Sequence, residues 1–327
     1  MLQLPFIVTI MIRSKEDVIK ITKIILIATM LITIYGILCY ITQSNPYITM
    51  INNIYPDEVV ESYDRYRDEA RGILQGRISA TFLTPVFYAS GLLTLFYISL
   101  FEKFYTNKEQ NNKNIYWLIL FALISLNILL TGSRSGIIAI GIGMLYIMYK
   151  LTSLRKKINI LFVSLIICTI GFSLNLMLTD NNKISQESEI SGSSIEMRLV
   201  QWEGTLELLD PHLILFGLGH GWITEYLNEY GPHPILLGFE SLLFSGMIQY
   251  GIIGFILIYG TLFFGLYKLN KFVFKNNNIL GEERHILNGF LLSYIIYAFM
   301  TGPLYIIFFL GCYIFLLKAI TLYNQNE

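Results

Sequence analysis

The chain has 327 residues, 54% of them apolar and 14% charged, with a mean hydropathy of +0.57 and 23 basic against 23 acidic side chains. Too few polar residues remain to coat a soluble fold of this size, and no excess of base is available for a nucleic-acid face. These proportions exclude an ordinary cytosolic enzyme, a secreted disulfide scaffold and a nucleic-acid binder. They predict an all-α polytopic membrane protein, a single integral domain over residues 1–327.

In chain order, residues 4–12 make half a span, read as a partial N-terminal helix whose beginning is missing. Runs long enough to cross a hydrocarbon core of roughly 30 Å follow at 24–41, 82–101, 116–130, 136–149, 158–178, 252–267, 286–300 and 303–317. That is about eight full transmembrane helices. Cys39, Cys168 and Cys312 each lie inside such a run and read as small buried hydrophobes.

The connections alternate in charge. One side holds Arg13, Lys15, Lys20 and Lys23, then Lys103, Lys108 and Lys113, then Lys150, Arg155, Lys156 and Lys157, then Lys268, Lys271, Lys275 and Arg284, with Lys318. These are 16 of the 23 basic residues, and the positive-inside rule makes that side cytoplasmic. The other side carries two large outward-facing loops, 42–81 and 179–239, and a tight turn at 131–135. It holds 16 of the 23 acidic residues and seven basic ones, six of them Arg: Arg65, Arg67, Arg71, Arg77, Arg134 and Arg198. Topology accounts for the scarcity of Lys there but not for the retention of Arg. Arginine grips phosphate oxygens bidentately and tolerates partial desolvation, although some of these, Arg65 and Arg67 above all, could equally pair with local carboxylates.

Within the first loop, Val60, Tyr63, Arg67, Ala70 and Leu74 recur at helical spacing, predicting an amphipathic helix over 59–74 with Arg71 and Arg77 bracketing its end. The second loop contains Ser193 and Glu196, a capping box, before an apolar stripe of Ile195, Leu199, Trp202, Leu206 and Leu209. Asp210-Pro211 ends that helix. Arg198 and Trp202 stand four apart and can form a cation–π contact. A Gly217-Leu-Gly-His-Gly221 turn and Pro232-His233-Pro234 follow.

His212, His220, His233 and His285 show no metal-ligand spacing, and there is no Asp-x-Asp pair, Walker loop or G-x-S-x-G elbow. An enzyme built this way is expected to need no metal, no other cofactor and no covalent serine. The predicted spans carry no Asp, Glu, Lys, Arg or His, which counts against an ion-coupled transporter, while a flippase with a polar lumen remains open.

Four segments resemble, in order, the O-antigen polymerase and O-antigen ligase superfamily of membrane glycosyltransferases. Arg77-Ile-Ser-Ala80-Thr-Phe82-Leu-Thr-Pro85 is similar to the family's Arg-x-x-G-T-F-x-x-P, with Ala80 where glycine is usual. Next come Thr131-Gly-Ser-Arg134-Ser-Gly136, then Arg198-x-x-x-Trp202 with Asp210-Pro211 and Gly217-Leu-Gly219. The last is Glu240-Ser241, nine residues, then Gly251-Ile-Ile-Gly254. The likeness covers about residues 70–260. Ligases of the superfamily usually carry His at the place of Glu240, so the form here looks more like the repeat-unit polymerases.

The resemblance implies transfer of a growing glycan from polyprenyl diphosphate to a second lipid-linked repeat unit, for O-antigen or capsular polysaccharide. The reaction would run on the outer face of a bacterial cytoplasmic membrane. It implies Arg77, Arg134 and Arg198, with Arg71, as diphosphate-binding residues. Glu240 would be the catalytic base and His233 the alternative base. A helix-terminal carboxylate is the competing reading of Glu240. The partners implied are the lipid-linked donor and acceptor, the lipid bilayer and a chain-length regulator. Glycan ligase is the alternative activity within the superfamily, and a lipid-linked glycan flippase or transporter the alternative outside it.

Overall fold

The computed structural model describes residues 10–54, 77–105, 114–151, 195–209, 212–231, 233–236, 239, 241–276, 282–302 and 306–324. Among these the fold is all-helical, with no strand. The predicted span 158–178, the amphipathic helix 59–74 and most of the half-span 4–12 lie outside the described residues.

The helices are α1 (Lys15–Thr42), α2 (Pro46–Ile54), α3 (Pro85–Tyr105), α4 (Asn114–Leu130) and α5 (Arg134–Lys150). After these come α6 (Ile195–Leu208), α7 (Trp222–Tyr230), α8 (Leu242–Phe255), a π turn (Ile256–Gly260), α9 (Thr261–Asn276), α10 (Glu282–Thr301) and α11 (Ile306–Asn324). Seven of the eight predicted apolar runs fall on these helices. By length and hydropathy, Lys15–Thr42, Pro85–Lys103 and the continuous run Leu242–Lys275 can each cross a membrane, and Ile115–Leu130 and Ile306–Leu322 are shorter apolar helices. The run expected to start at residue 252 starts ten residues earlier, at Leu242, because Ser241 caps it there: its Oγ accepts from Leu243 N at 3.2 Å.

The chain divides into two compact units. The first comprises Met1–Asn181, Asn270–Tyr294 and Tyr305–Glu327. Here α1 is built inside-out. Thr22, Thr29, Thr33 and Gly36 lie on its buried face, while Ile24, Ile27, Leu31 and Ile41 are exposed. That is the arrangement expected of a helix bathed in lipid, where small residues allow close approach and apolar ones meet acyl chains. The buried threonines satisfy themselves on their own helix, Thr22 Oγ1 donating to Val18 O at 2.8 Å and Thr29 Oγ1 to Ile25 O at 2.7 Å. Helices α3 and α4 pack against α1. Gly36 has no room for a Cβ because Asn127 Oδ1 and the Tyr88 hydroxyl occupy the space. Asn127 ties the three together, accepting from Tyr88 at 2.8 Å and donating to Thr33 O at 2.9 Å. Helix α3 is the most enclosed, with Tyr88, Leu92, Phe96 and Tyr97 fully buried.

The second unit comprises Asn182–Leu269 and Ile295–Leu304. Helix α8 is its centre, contacted by α6 and α7. The buried face of α6 keeps the predicted stripe at Leu209, with Trp202 half-buried, and departs from it at Leu206. Gln201, Gly204, Thr205 and Leu209 face inward, while Leu206 is exposed. Gly204 sets this rotation: Ile235 packs so closely that a Cβ would meet its Cγ2 at 2.9 Å. Thr205 is accommodated by donating to Gln201 O at 2.8 Å. Small residues thus win the contact over larger apolar ones. The end of α6 at Leu208 agrees with the stop expected from Asp210-Pro211.

Candidate functional site

The tight turn predicted at 131–135 forms between α4 and α5. Thr131 Oγ1 donates to Ile128 O at 2.6 Å and accepts from Ser133 N at 3.2 Å, while Gly132 takes φ +63°. Arg77 is buried, and its Nε donates to Thr131 O at 2.8 Å; the neighbouring Ile78 N donates to Leu130 O at 3.2 Å. The first and second motifs, more than fifty residues apart in sequence, are therefore one structure, and Arg77 braces the turn that carries Arg134. On the other flank Asn45 Nδ2 donates to Ala80 O at 2.8 Å. Ala80 sits at φ +47° with no exposure, so the one departure from the family's glycine falls where the backbone is left-handed.

Arg134 is exposed at the first position of α5. The positive end of the helix dipole normally favours a carboxylate there, and a cation is opposed by about 0.3–1 kcal/mol. No acidic residue occupies this first turn, and the N-cap Ser133 makes no side-chain cap; its Oγ is hydrogen-bonded to Ser135 Oγ at 2.9 Å. Uncapped amides and a guanidinium at one helix start form a local positive centre suited to an anion.

In the second unit, α8 is broken at Gly251, which adopts φ +62°, ψ −174°. The carbonyls of Ile248 and Gln249 lose the amides of Ile252 and Ile253 four residues on. They accept instead from Leu218 N at 2.7 Å and Gly219 N at 3.0 Å, while Ile252 N and Ile253 N donate to Ile214 O at 2.9 Å and Leu215 O at 3.1 Å. The loop 214–219 thus fills the gap in the ladder, which an apolar helix requires since lipid cannot supply partners. Gly217 and Gly251 make the close approach possible. A Cβ on Gly217 would lie 2.5 Å from Gly251 N, and one on Gly251 would strike the Leu215 carbonyl group. The Gly217-Leu-Gly219 and Gly251-x-x-Gly254 motifs are the two sides of this single joint.

The joint also presents a pair that the sequence did not single out. His220, exposed, bonds through Nδ1 to the Tyr250 hydroxyl at 2.7 Å, the rings stacking at 5.8 Å and 14°. Gln249 Oε1 accepts from Gly221 N at 2.9 Å, fixing the start of α7 beside it. Thirty residues separate His220 from Tyr250, and no periodicity links them.

His233 is half-buried between the rings of Tyr226 and Phe239, and its Nδ1 accepts from Ile235 N at 3.1 Å and Leu236 N at 3.0 Å. Burial holds its pKa below the usual value. With Nδ1 occupied as an acceptor, the neutral ring carries its proton on Nε2. His233 therefore offers a donor, not a base. Phe239, immediately before Glu240, has φ +55° and is buried, a strained setting for a bulky residue. Ser241, immediately after, is fixed by donating to Phe299 O at 2.6 Å while capping α8.

Glu240 and Arg71 lie outside the described residues. Arg198 lies on α6, four residues before Trp202, whose ring is 6.4 Å from that of Phe244 on α8. Of the predicted site residues, Arg77 and the turn bearing Arg134 are brought together in the first unit, and Arg198 and His233 belong to the second. Among the described residues no three His, Cys, Asp or Glu side chains converge as metal ligands would.

These features define a class: a helical membrane protein with an interrupted apolar helix, arginine retained at helix starts and turns, and an acidic residue beside strained backbone. Residues 119–259 match the family model described as O-antigen ligase, a match that supports the O-antigen ligase and polymerase superfamily, whose members are membrane enzymes that modify glycans. The match takes in the Arg134 turn, α6 and the glycine joint, and stops short of the Arg77 motif. No curated protein matches the chain.

Proposed function

We propose that this protein polymerises oligosaccharide repeat units carried on polyprenyl diphosphate, at the outer face of a bacterial cytoplasmic membrane. The observation that carries the reading is Arg134 at an uncapped, acid-free helix start, on a turn braced by Arg77. In the reaction, the bond between the donor's anomeric carbon and the diphosphate oxygen breaks, and the electron pair leaves with the diphosphate. The acceptor sugar's hydroxyl oxygen bonds to that carbon and gives up its proton. A diphosphate needs stabilisation of its growing charge more than protonation, which fixed guanidinium groups and helix-start amides supply. Arg134, Arg77, Arg198 and Arg71 take that role in this scheme. Glu240 takes the acceptor's proton. Its sequence neighbours are Phe239, at positive φ, and Ser241, which donates to Phe299 O and accepts from Leu243 N. His233, with its proton on Nε2, serves as a hydrogen-bond donor in this scheme.

A second reading is favoured by one observation, the match to a family model described as O-antigen ligase: transfer of a finished glycan from the lipid to a different acceptor. Substitution separates the two. In cells, Arg134→Ala and Arg198→Ala should abolish chain elongation while protein level and lipid-linked single repeat units persist. Polymer that forms normally but stays unattached to its acceptor would support the ligase reading instead. Single units failing to reach the outer face would support a flippase.

A further inference from the structure

Six buried side-chain atoms among the described residues lack a hydrogen-bond partner. Three of them belong to the consecutive residues Glu283, Arg284 and His285 in the first unit; Asn270 and Tyr313 lie against one another, and the sixth is Trp117 Nε1. Buried polar groups left unmatched cost about 1–3 kcal/mol each, more when charged, so a concentration of them points to a group that completes the site.

Its position follows from the register of α5 against α10. Ser293 Oγ donates to Ala139 O at 2.8 Å, Gly289 lies against Gly143, and Asn288 Nδ2 donates to Tyr146 OH at 3.2 Å. The His285 ring is 6.4 Å from that of Tyr146. One further turn along α5 brings Lys150, exposed and last in its helix, beside the first turn of α10 that holds Glu283 and Arg284. Behind them Asn270 Nδ2 donates to Asn288 Oδ1 at 2.8 Å, and the Asn270 side chain also meets the Tyr313 hydroxyl. Burial first, and then the charges of Arg284 and Lys150, hold the pKa of His285 below its usual value.

The unmatched atoms specify the ligand. Arg284 Nε calls for an acceptor and Glu283 Oε2 for a donor, while Lys150, exposed and over the Tyr149 ring at 4.9 Å, adds positive charge beside them. A phosphodiester whose head alcohol ends in an ammonium or a hydroxyl meets both demands. Ile138, Ile142, Leu145 and Tyr149 form an exposed apolar stripe on α5 that ends beside Lys150. Free phosphate has no use for such a stripe, whereas acyl chains do.

We propose that the junction of α5 and α10 binds a phospholipid, its phosphate on Arg284 and Lys150, its head ammonium or hydroxyl on Glu283 and its acyl chains along α5. Basic clefts between helices at a membrane boundary are suited to such headgroups. The test uses the full chain, delipidated in mild detergent and offered phosphatidylethanolamine, phosphatidylglycerol or phosphatidylcholine of matched acyl length, with retained lipid counted by native mass spectrometry. One phosphatidylethanolamine or phosphatidylglycerol should be retained, and phosphatidylcholine, which has no donor for Glu283, should be retained about tenfold less. Arg284→Gln should reduce retention by a similar factor. Lys150→Gln, exposed and so harmless to folding, should reduce it as well. Equal retention of phosphatidylcholine, unchanged retention in both variants, or displacement of the lipid by millimolar inorganic phosphate would each overturn the assignment.

Discussion

Ala80 and His233 show how single residues record the constraints of this fold. Ala80 occupies left-handed backbone with its methyl enclosed. Replacing it by glycine relieves about 1–2 kcal/mol of backbone strain but forfeits a buried methyl and adds chain entropy. Ala80→Gly should therefore be nearly neutral in thermal unfolding, whereas Ala80→Val should destabilise by about 2–3 kcal/mol. The sequence marks Ala80 as a departure from the family's glycine; the reason, a positive φ, depends on the Asn45 and Arg77 contacts and is visible only in the fold. His233 makes a second prediction. Its native pKa is depressed below 6.5, so the unfolded chain takes up the proton more readily than the folded one. Its contribution is complete above pH about 6.5 and declines as the pH falls below it. Asparagine can accept the two amides without titrating. The stability lost between pH 7.5 and 5.5 should be smaller in His233→Asn than in the wild type, and an identical loss would contradict the assignment of Nδ1 as acceptor.

At the level of elements, the break in α8 is the feature that organises the second unit. Gly217 and Gly251 are needed both for positive φ and for the contact between their backbones. Alanine at either should cost about 3 kcal/mol, strain and overlap together, read as a lower Tm in detergent. Gly219, also at positive φ but with open space around its missing Cβ, should lose only about 1–2 kcal/mol. The contrast isolates the close approach from the conformational requirement. The apolar runs, the turn between α4 and α5 and the end of α6 were legible from hydropathy, turn residues and Pro. The joint was not, because its four backbone bonds link residues thirty or more apart and backbone groups leave no mark in a side-chain pattern. The inward places of Gln201, Gly204 and Thr205 on α6 were not legible for a related reason. Periodicity weighs bulk, while the packing at Gly204 rewards its absence.

Across the whole molecule, the equal totals of base and acid conceal a division by segment. Lysines gather in the short connections, the predicted spans are uncharged, and arginine is kept in the turns and loops of the opposite side. Membrane character is legible in that pattern, and the match over residues 119–259 supports the superfamily. The union of the first and second motifs through Arg77 did not follow from it, since the bond is to a main-chain carbonyl. The most direct measurement of the proposed activity is extension of a polyprenyl-diphosphate-linked repeat unit by the purified chain in vesicles, followed by gel or mass spectrometry. Polymerase activity predicts a ladder of lipid-linked products lengthened by whole repeat units, lost in Arg134→Ala. Failure to lengthen the repeat unit, alongside transfer of a preformed glycan to a non-polyprenyl acceptor, would contradict it.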